Sequence, residues 1–189
     1  MTDNHSFTTL DMPMDDNILA SSNRLMNWYM QRHSKTFLMR LDIHFPQGME
    51  QDAITTFNRR FIAKEKYEGY DPKYIIAREL SKGGRIHYHM ALFLNGHKTQ
   101  NTFEHFRTAD QVLQKVIGQE YKADGLIDRC DRGHRNGIMI ERNATDSTDL
   151  HEAQQQISYL AKTDQKANVK GKRYFSSKLN KTSQKDDLK

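Results

Sequence analysis

A glutamate and two histidines with strand spacing stand within residues 79–94. Side chains on a strand alternate between its faces, so His87 and His89 leave the same face, about 7 Å apart at the backbone. A Lys-Gly-Gly turn over residues 82–84 would form a hairpin and place Glu79 opposite His87, on that same face. One carboxylate and two imidazoles form an oxygen–nitrogen ligand set that suits Mg²⁺ or Mn²⁺. The stretch therefore predicts a divalent-metal site.

A second chemically equipped stretch is the amphipathic helix predicted over residues 149–162. At 100° per residue its apolar positions cluster within roughly 100° of arc, and Tyr159 lies about 150° from the centre of that stripe. A buried structural tyrosine would lie inside the stripe, so Tyr159 is either exposed or faces a polar site. Lys162, one turn on, is placed to stabilise negative charge near the phenolic oxygen. Gln155 shares the polar side of the helix.

The predicted strand over residues 36–45 also has one apolar and one polar face. Its odd positions are all apolar, its even positions end in Arg40, Asp42 and His44, and a Pro-Gln-Gly turn follows. We expect Asp42 and His44 to point toward the metal pair. Three roles stay open for them: supplementary ligands, contacts with a phosphate or base, and hydrogen bonds across the sheet.

The remaining elements must position these three stretches. The pattern predicts helices over 22–32, 50–66 and 102–121, strands over 73–80 and 138–142, and a capping box formed by Asp149 and Glu152 at the start of the last helix. Strands interspersed with helices, two of them joined by a hairpin, indicate an α+β fold. We expect a central antiparallel sheet of about five strands with helices packed on its apolar face.

Composition favours one domain with appendages. The chain has 189 residues, and the nine basic and three acidic residues from Lys162 to Lys189 account for more than its whole net charge of +5. We expect a flexible segment over 1–20, a folded domain over 21–165 and a basic, partly disordered tail over 166–189. The tail is either an arm that contacts phosphates or a solvated terminus.

The single cysteine, the hydropathy and the isolated histidines carry further expectations. A lone cysteine, Cys130, fits a reducing cytosol, and no apolar run approaches the roughly 20 residues of a membrane span, so no membrane partner is expected. The histidines without evident partners are expected at the surface. They are His97, His105, His134 and His151.

Taken together, these motifs resemble those of the HUH endonuclease superfamily, the single-tyrosine nucleases that initiate rolling-circle replication. His87-Tyr88-His89 resembles the His-hydrophobic-His motif, Tyr159-Leu160-Ala161-Lys162 resembles the Tyr-x-x-Lys motif, and Glu79 has the spacing of the acidic ligand in many viral-type members. The resemblance spans roughly residues 36–165. It is closest to replication proteins of filamentous phages (inoviruses) and to the YfjJ-like prophage group.

The resemblance implies a fold similar to HUH and RNA-recognition domains and a metal-dependent, sequence-specific nicking and rejoining of single-stranded DNA. Tyr159 would be the nucleophile of a 5′-phosphotyrosine intermediate, assisted by Lys162, and Gln155 would orient the phenol or touch the metal. The expected partners are single-stranded or hairpin origin DNA and a host helicase, for replication of a phage- or plasmid-like element in the bacterial cytosol. Tyr121 and Tyr174 are the nearest competing tyrosines.

Basic side chains are expected to contact the phosphates of the DNA, which would make binding sensitive to salt. The candidates are Arg40, Arg78, Arg85, Lys170, Lys172 and Arg173. The alternatives are a transposase or relaxase with the same chemistry, a non-catalytic DNA-binding protein on this scaffold, and an RNA-binding module. RNA-recognition sheets display aromatic side chains where this sheet has two histidines and a glutamate.

Overall fold

The computed structural model describes residues 13–81, 83–130, 135–143, 147–163 and 171–179. Its elements, in chain order, are α1 (Asp16–Arg32), β1 (Lys35–His44), α2 (Glu50–Tyr67), β2 (Lys73–Leu80), β3 (Ile86–Asn95), α3 (Phe103–Ile117), β4 (Ile127–Asp128), β5 (Ile138–Glu141), α4 (Thr148–Tyr159) and β6 (Tyr174–Ser176). None of the helices in these ranges combines the length and apolar character that crossing a membrane requires.

The strands form one antiparallel sheet, which confirms the expected α+β fold. The order is β4-β1-β3-β2-β6, and β5 pairs with the other half of the outer edge of β1. In the β2–β3 hairpin the Ser81 N–H donates to the Arg85 carbonyl oxygen at 2.8 Å. Glu79 therefore pairs with His87, as the turn predicts. β1 lies on the other side of β3, with Asp42 opposite His89 and His44 opposite His87.

Helices cover both faces of the sheet. On one face the odd positions of β1 and the even positions of β3 pack against α2 and α3, the apolar face predicted from the alternation. On the other face α1 and α4 pack over a smaller core that includes Leu38, Ala91 and Phe93. The alternation suggested a polar second face, but the middle of that face is apolar, and the polar groups of the site lie at one end, near Arg40, Asp42 and His44. α4 ends beside this polar end.

Residues 13–20 and 171–179, near the two ends of the chain, pack against the domain more than the sequence suggested. α1 begins at Asp16, before the predicted boundary at residue 21, and Ile18 is fully buried. Part of the basic tail returns as β6, which extends the sheet along β2. The Asp15 N–H donates to the Ala161 carbonyl oxygen at 2.7 Å. The segment that precedes α1 is thereby fastened to the segment that follows α4.

Two helix boundaries differ from the prediction for local reasons. α3 ends at Ile117 rather than 121 because Gly118, at φ +83°, takes a conformation that stops the helix. The predicted capping box at α4 is wrong. Ser147 is the N-cap, and its hydroxyl accepts from the Leu150 N–H at 3.1 Å. Asp149 and Glu152, the predicted capping pair, both bind the Arg135 guanidinium instead.

His105 is buried, contrary to the expectation of a surface position. Its Nδ1 lies 2.7 Å from Glu65 Oε2 and its Nε2 lies 2.8 Å from Thr99 Oγ1. Both Glu65 and His105 are only 1% exposed. The helical period places His105 beside Phe106 on the buried side of α3, and its partner comes from α2, which no local pattern reveals. The pair therefore joins α2 to α3.

Candidate metal centre and adjacent tyrosine

The β2–β3 hairpin brings Glu79, His87 and His89 together on one face of the sheet, close to the hairpin turn. Glu79 Oε2 lies 2.9 Å from His89 Nε2 and 3.5 Å from His87 Nε2. The two imidazole rings are nearly perpendicular, with centroids 4.8 Å apart. All three side chains are largely buried, with exposures of 8%, 12% and 7% in chain order. The predicted convergence of these residues is confirmed.

This arrangement fits a small divalent cation. One ligand atom from each of the three residues lies within 4.8 Å of the others. Ligands bound at about 2.1 Å in octahedral geometry lie roughly 3 Å apart, which the separations of 2.9 and 3.5 Å approach. A mixed carboxylate and imidazole set suits Mn²⁺ and related ions. The three residues can thus hold one ion while leaving other positions free for water or substrate.

Asp42 contacts His89 on the side of the ring away from the other two candidate ligands. Its Oδ1 lies 2.6 Å from His89 Nδ1, the ring nitrogen that faces away from Glu79. A carboxylate on one imidazole nitrogen fixes the ring and makes the other nitrogen a better ligand. The structure therefore places Asp42 as an orienting partner of His89 rather than at the ligand atoms themselves.

Electrostatics around His89 reflect the two carboxylates on either side of it. Burial acts to lower its pKa, but Asp42 and Glu79 outweigh burial and raise the pKa above its ordinary value. Burial likewise acts to raise the pKa of Asp42, yet His89 and the Arg40 charge hold it below the usual range. In the metal-free protein His89 thus carries its positive charge to higher pH, and a metal ion must displace the proton on Nε2.

His44 and Cys130 border the centre. The His44 ring stacks on His87 with centroids 5.5 Å apart, and burial together with the neighbouring imidazole lowers the pKa of His44. Burial, reinforced by the negative charge of Asp42, raises the pKa of the Cys130 thiol, which hydrogen-bonds with that carboxylate. Sequence reasoning missed Cys130 as a neighbour of the site. Its position follows from the pairing of Asp128 with Asp42, which no sequence motif indicates.

Tyr159 is the last residue of α4, and it faces the centre. Its ring is perpendicular to that of His89, with centroids 6.0 Å apart, and the residue is 40% exposed. Two cations flank the phenol: Arg40 Cζ lies 4.8 Å and Lys162 Nζ 5.5 Å from the ring centroid. Tyr159, which lies outside the apolar stripe of its own helix, therefore faces a polar site.

The other side chains of α4 differ from the expectation. Gln155 is exposed, one turn before Tyr159. Gln156 is instead the buried glutamine, 7% exposed, and its Nε2 donates to the Arg135 carbonyl oxygen at 2.6 Å. Residue 156 follows the stripe containing Ala153 and Ile157, so its burial could have been read from the helical period. Its partner could not, because Arg135 lies 21 residues away in the sequence and belongs to no helix or strand.

The predicted DNA contacts are spread over different surfaces. Arg40 lies at the centre, and Arg85 is exposed at the hairpin turn. Arg78 pairs with Tyr88, so the strand alternation directs it to the sheet face opposite Glu79.

The basic tail residues also take separate positions. Arg173 forms an ion pair with Asp15 at 2.8 Å, and the tail strand holds it there. Lys172 is exposed, with Nζ 5.0 Å from the Phe175 ring centroid. Lys170 lies outside the described residues.

Comparison with known proteins adds one decisive match. The family model for the YagK/YfjJ C-terminal domain matches residues 2–177. The chain belongs to this family. The YagK/YfjJ match covers every residue of the centre described above, together with α1 and β6, so these two elements are part of the family domain. Neither the curated proteins nor the solved structures gave a match.

Proposed function

We propose that this YagK/YfjJ-family domain is a metal-dependent endonuclease that nicks and rejoins single-stranded DNA through a tyrosine. The observation that carries the proposal is the position of Tyr159, 6.0 Å from His89 between ring centroids, beside a Glu-His-His cluster able to hold a divalent ion. The order and spacing of these residues resemble the HUH endonuclease superfamily. A protein that only bound DNA would not need a tyrosine ring in contact with such a cluster.

The reaction we propose is a transesterification at phosphorus. The Tyr159 phenol loses its proton to solvent, and its oxygen attacks the phosphorus of one phosphodiester. The Tyr–O–P bond forms as the P–O3′ bond breaks, and the departing 3′ oxygen takes a proton from water. The products are a 5′-phosphotyrosine and a free 3′-OH. Because the phosphoester bond is conserved in the intermediate, the reverse attack by a 3′-OH rejoins a strand.

Positively charged side chains lie beside the phenol that attacks. A phenol with its ordinary pKa near 10 is a weak nucleophile at neutral pH. Lys162, with Nζ 5.5 Å from the ring, supplies positive charge beside the developing phenolate. When bound, the divalent ion supplies Lewis-acid polarisation of the phosphate. Glu79, His87 and His89 would hold it, and Asp42 would keep His89 in the ligating orientation.

The biological role we propose is initiation of rolling-circle replication of a phage- or plasmid-like element in the bacterial cytosol. It is supported by the resemblance to inovirus-type replication proteins, and it implies an origin or hairpin DNA and a host helicase as partners. A transposase or relaxase would use the same chemistry on a different DNA. The two roles differ in substrate, so the choice between them depends on the sequence that is cut.

A library of random single strands tests the proposal without knowledge of the origin sequence. The protein is incubated with Mn²⁺ and the library, and denaturing gels separate covalent adducts. We expect an adduct that maps by peptide analysis to Tyr159, and released fragments whose 3′-OH a polymerase extends. Sequencing the captured DNA identifies the site. Cleavage without any adduct, or an adduct on another residue, would contradict the proposal.

A further inference from the structure

Arg40 is a buried cation in contact with the proposed nucleophile. It extends from β1 and is only 9% exposed, and its Cζ lies 4.8 Å from the centroid of the Tyr159 ring. Its Nη2 lies 3.7 Å from Asp42 Oδ1. The guanidinium therefore sits between the tyrosine and the carboxylate that orients His89, at the centre of the site rather than at its rim.

The backbone N–H and carbonyl oxygen of Arg40 both bind one side chain on the outer edge of β1. The amide of Asn136 donates through Nδ2 to the Arg40 carbonyl oxygen at 2.7 Å and accepts through Oδ1 from the Arg40 N–H at 2.9 Å. Gly137 follows, at φ +91°, where a Cβ would approach Phe37 to 2.8 Å, so only glycine fits this close passage. On the other side of β1, Arg40 pairs with Ala91, whose small side chain leaves room beside it.

Among the residues that the structure describes, few groups balance the charge of Arg40. A guanidinium has five N–H donors. Its Nε has no hydrogen-bond partner among the residues the structure describes, and the contact with Asp42 is longer than a hydrogen bond. The same oxygen of Asp42 already lies 2.6 Å from His89. A buried cation with so few contacts is costly unless an anion binds it.

We propose that Arg40 binds a non-bridging oxygen of the DNA phosphate that lies beside Tyr159. The guanidinium fork matches phosphate oxygens in geometry and charge. A phosphate within reach of both Arg40 and the Glu-His-His cluster would also lie beside the Tyr159 ring, which contacts both Arg40 and His89. Arg40 is then a catalytic residue that contacts the reacting phosphate, in contrast to the general groove contacts of exposed lysines. The identity of the ligand as a DNA strand rests on the proposed function.

DNA binding by a variant that cannot cleave tests the phosphate contact of Arg40. In a Tyr159→Phe background the ring under Arg40 remains, and affinity for single-stranded oligonucleotides with Mn²⁺ is measured by fluorescence anisotropy. We expect Arg40→Met to weaken binding about tenfold or more, as loss of a charge-assisted hydrogen bond implies. Arg40→Lys, which keeps the charge without the fork, should fall between. The matched control is Arg59→Met, which removes an exposed charge from α2 on the opposite sheet face.

A walk of single methylphosphonates along the strand locates the contact. Each analogue removes the charge of one phosphate. We expect one position at which the analogue weakens binding by the Arg40 protein but not by the Arg40→Met protein. Equal affinities for the Arg40 and Arg40→Met proteins, or a methylphosphonate effect that is the same in both, would overturn the assignment. If Arg40→Met does not fold, as judged by its thermal unfolding, the same walk with Arg40→Lys decides.

The outcome is separable from that of the proposed function because it requires no cleavage. A coupled phosphate position together with a wild-type protein that forms no adduct would support phosphate binding by Arg40 and overturn the nuclease. An adduct on Tyr159 without a coupled position would support the nuclease and overturn the role of Arg40.

Discussion

His89 and Tyr159 meet at right angles, with ring centroids 6.0 Å apart. The histidine comes from the central strand β3 and the tyrosine from the last residue of α4, so the contact depends on how α4 packs across the sheet. Leu160 and Ala161, which follow the tyrosine, are fully buried in the core on the α1 and α4 side of the sheet. The backbone N–H of Asp15 binds the Ala161 carbonyl oxygen. The position of the phenol is therefore set by the core and by the segment before α1.

The first prediction concerns the nucleophile. Tyr159→Phe keeps the ring that contacts His89 and Arg40 but removes the attacking oxygen. We expect adduct formation to disappear while affinity for single-stranded DNA changes less than about twofold. Tyr121→Phe is the matched control, because Tyr121 is exposed to a similar extent, 42% against 40%, in the segment after α3. An adduct of normal yield in Tyr159→Phe would refute the assignment.

Loss of a metal ligand should be more severe than any change around the ligands. We expect His87→Ala and Glu79→Gln to weaken Mn²⁺ binding more than about 100-fold in isothermal titration, beyond the 10–100-fold typical of outer-shell partners. Adduct formation should fall in parallel, and EDTA should abolish it in the wild type. His97→Ala serves as control, since His97 is exposed and hydrogen-bonds Ser34 far from the centre. Unchanged Mn²⁺ affinity in both ligand variants would exclude this metal site.

Asp42 should affect metal binding indirectly, through the orientation of His89. Asp42→Asn preserves the shape of the side chain but replaces the carboxylate that lies 2.6 Å from His89 Nδ1. We expect Mn²⁺ affinity to fall about 10–100-fold without being lost, because the ring is less firmly oriented and its Nε2 is a poorer ligand. If Asp42→Asn were as damaging as His87→Ala, Asp42 would be a direct ligand.

Metal affinity should rise with pH because of His89. The two carboxylates raise the pKa of His89 despite its burial, so in the metal-free protein a proton competes with the ion for Nε2. Binding should therefore release protons, and titrations in buffers of different ionisation enthalpy measure how many. In the metal-free protein the raised pKa stabilises the fold at low pH, and this contribution is lost as pH rises through that pKa. Proton release that is unaffected by Asp42→Asn would contradict this origin.

The metal-binding half of the site was predictable because it is local. The spacing of His87 and His89 and the three-residue turn determine which face they share with Glu79, and strand geometry alone gives the pairing. The polar end of β1 was visible in the same alternation. These inferences need only the two-residue alternation of a strand and the length of one turn, so they do not require knowledge of the tertiary structure.

The other half depends on contacts between distant segments. Cys130 reaches Asp42 only because β4 pairs with β1, and Asn136 holds Arg40 only because the chain passes Phe37 at Gly137. The second helical layer was also missed, since a few apolar residues such as Ala91 on an otherwise polar-looking face do not reveal a core. Packing decides such features, and no short-range pattern reports them.

Asp15 joins the start of α1 to the segment that leads into β6. Its Oδ1 accepts from the Asn17 and Ile18 N–H groups as the N-cap of α1, while its Oδ2 pairs with Arg173 of the tail at 2.8 Å. Asp15→Asn keeps a good cap and loses the ion pair, whose arginine is 45% exposed, so we expect a loss of under about 1 kcal/mol in the free energy of unfolding.

Asp15→Ala also removes the cap and should cost about 1–2 kcal/mol. Urea denaturation of the two variants, with Arg173→Gln as a third, separates the contributions. We expect Arg173→Gln to match Asp15→Asn, because both leave the cap of α1 in place and remove the same ion pair. Equal losses in Asp15→Asn and Asp15→Ala would instead assign the stabilisation to the ion pair, and would make the tail strand the main anchor of the segment that positions Tyr159.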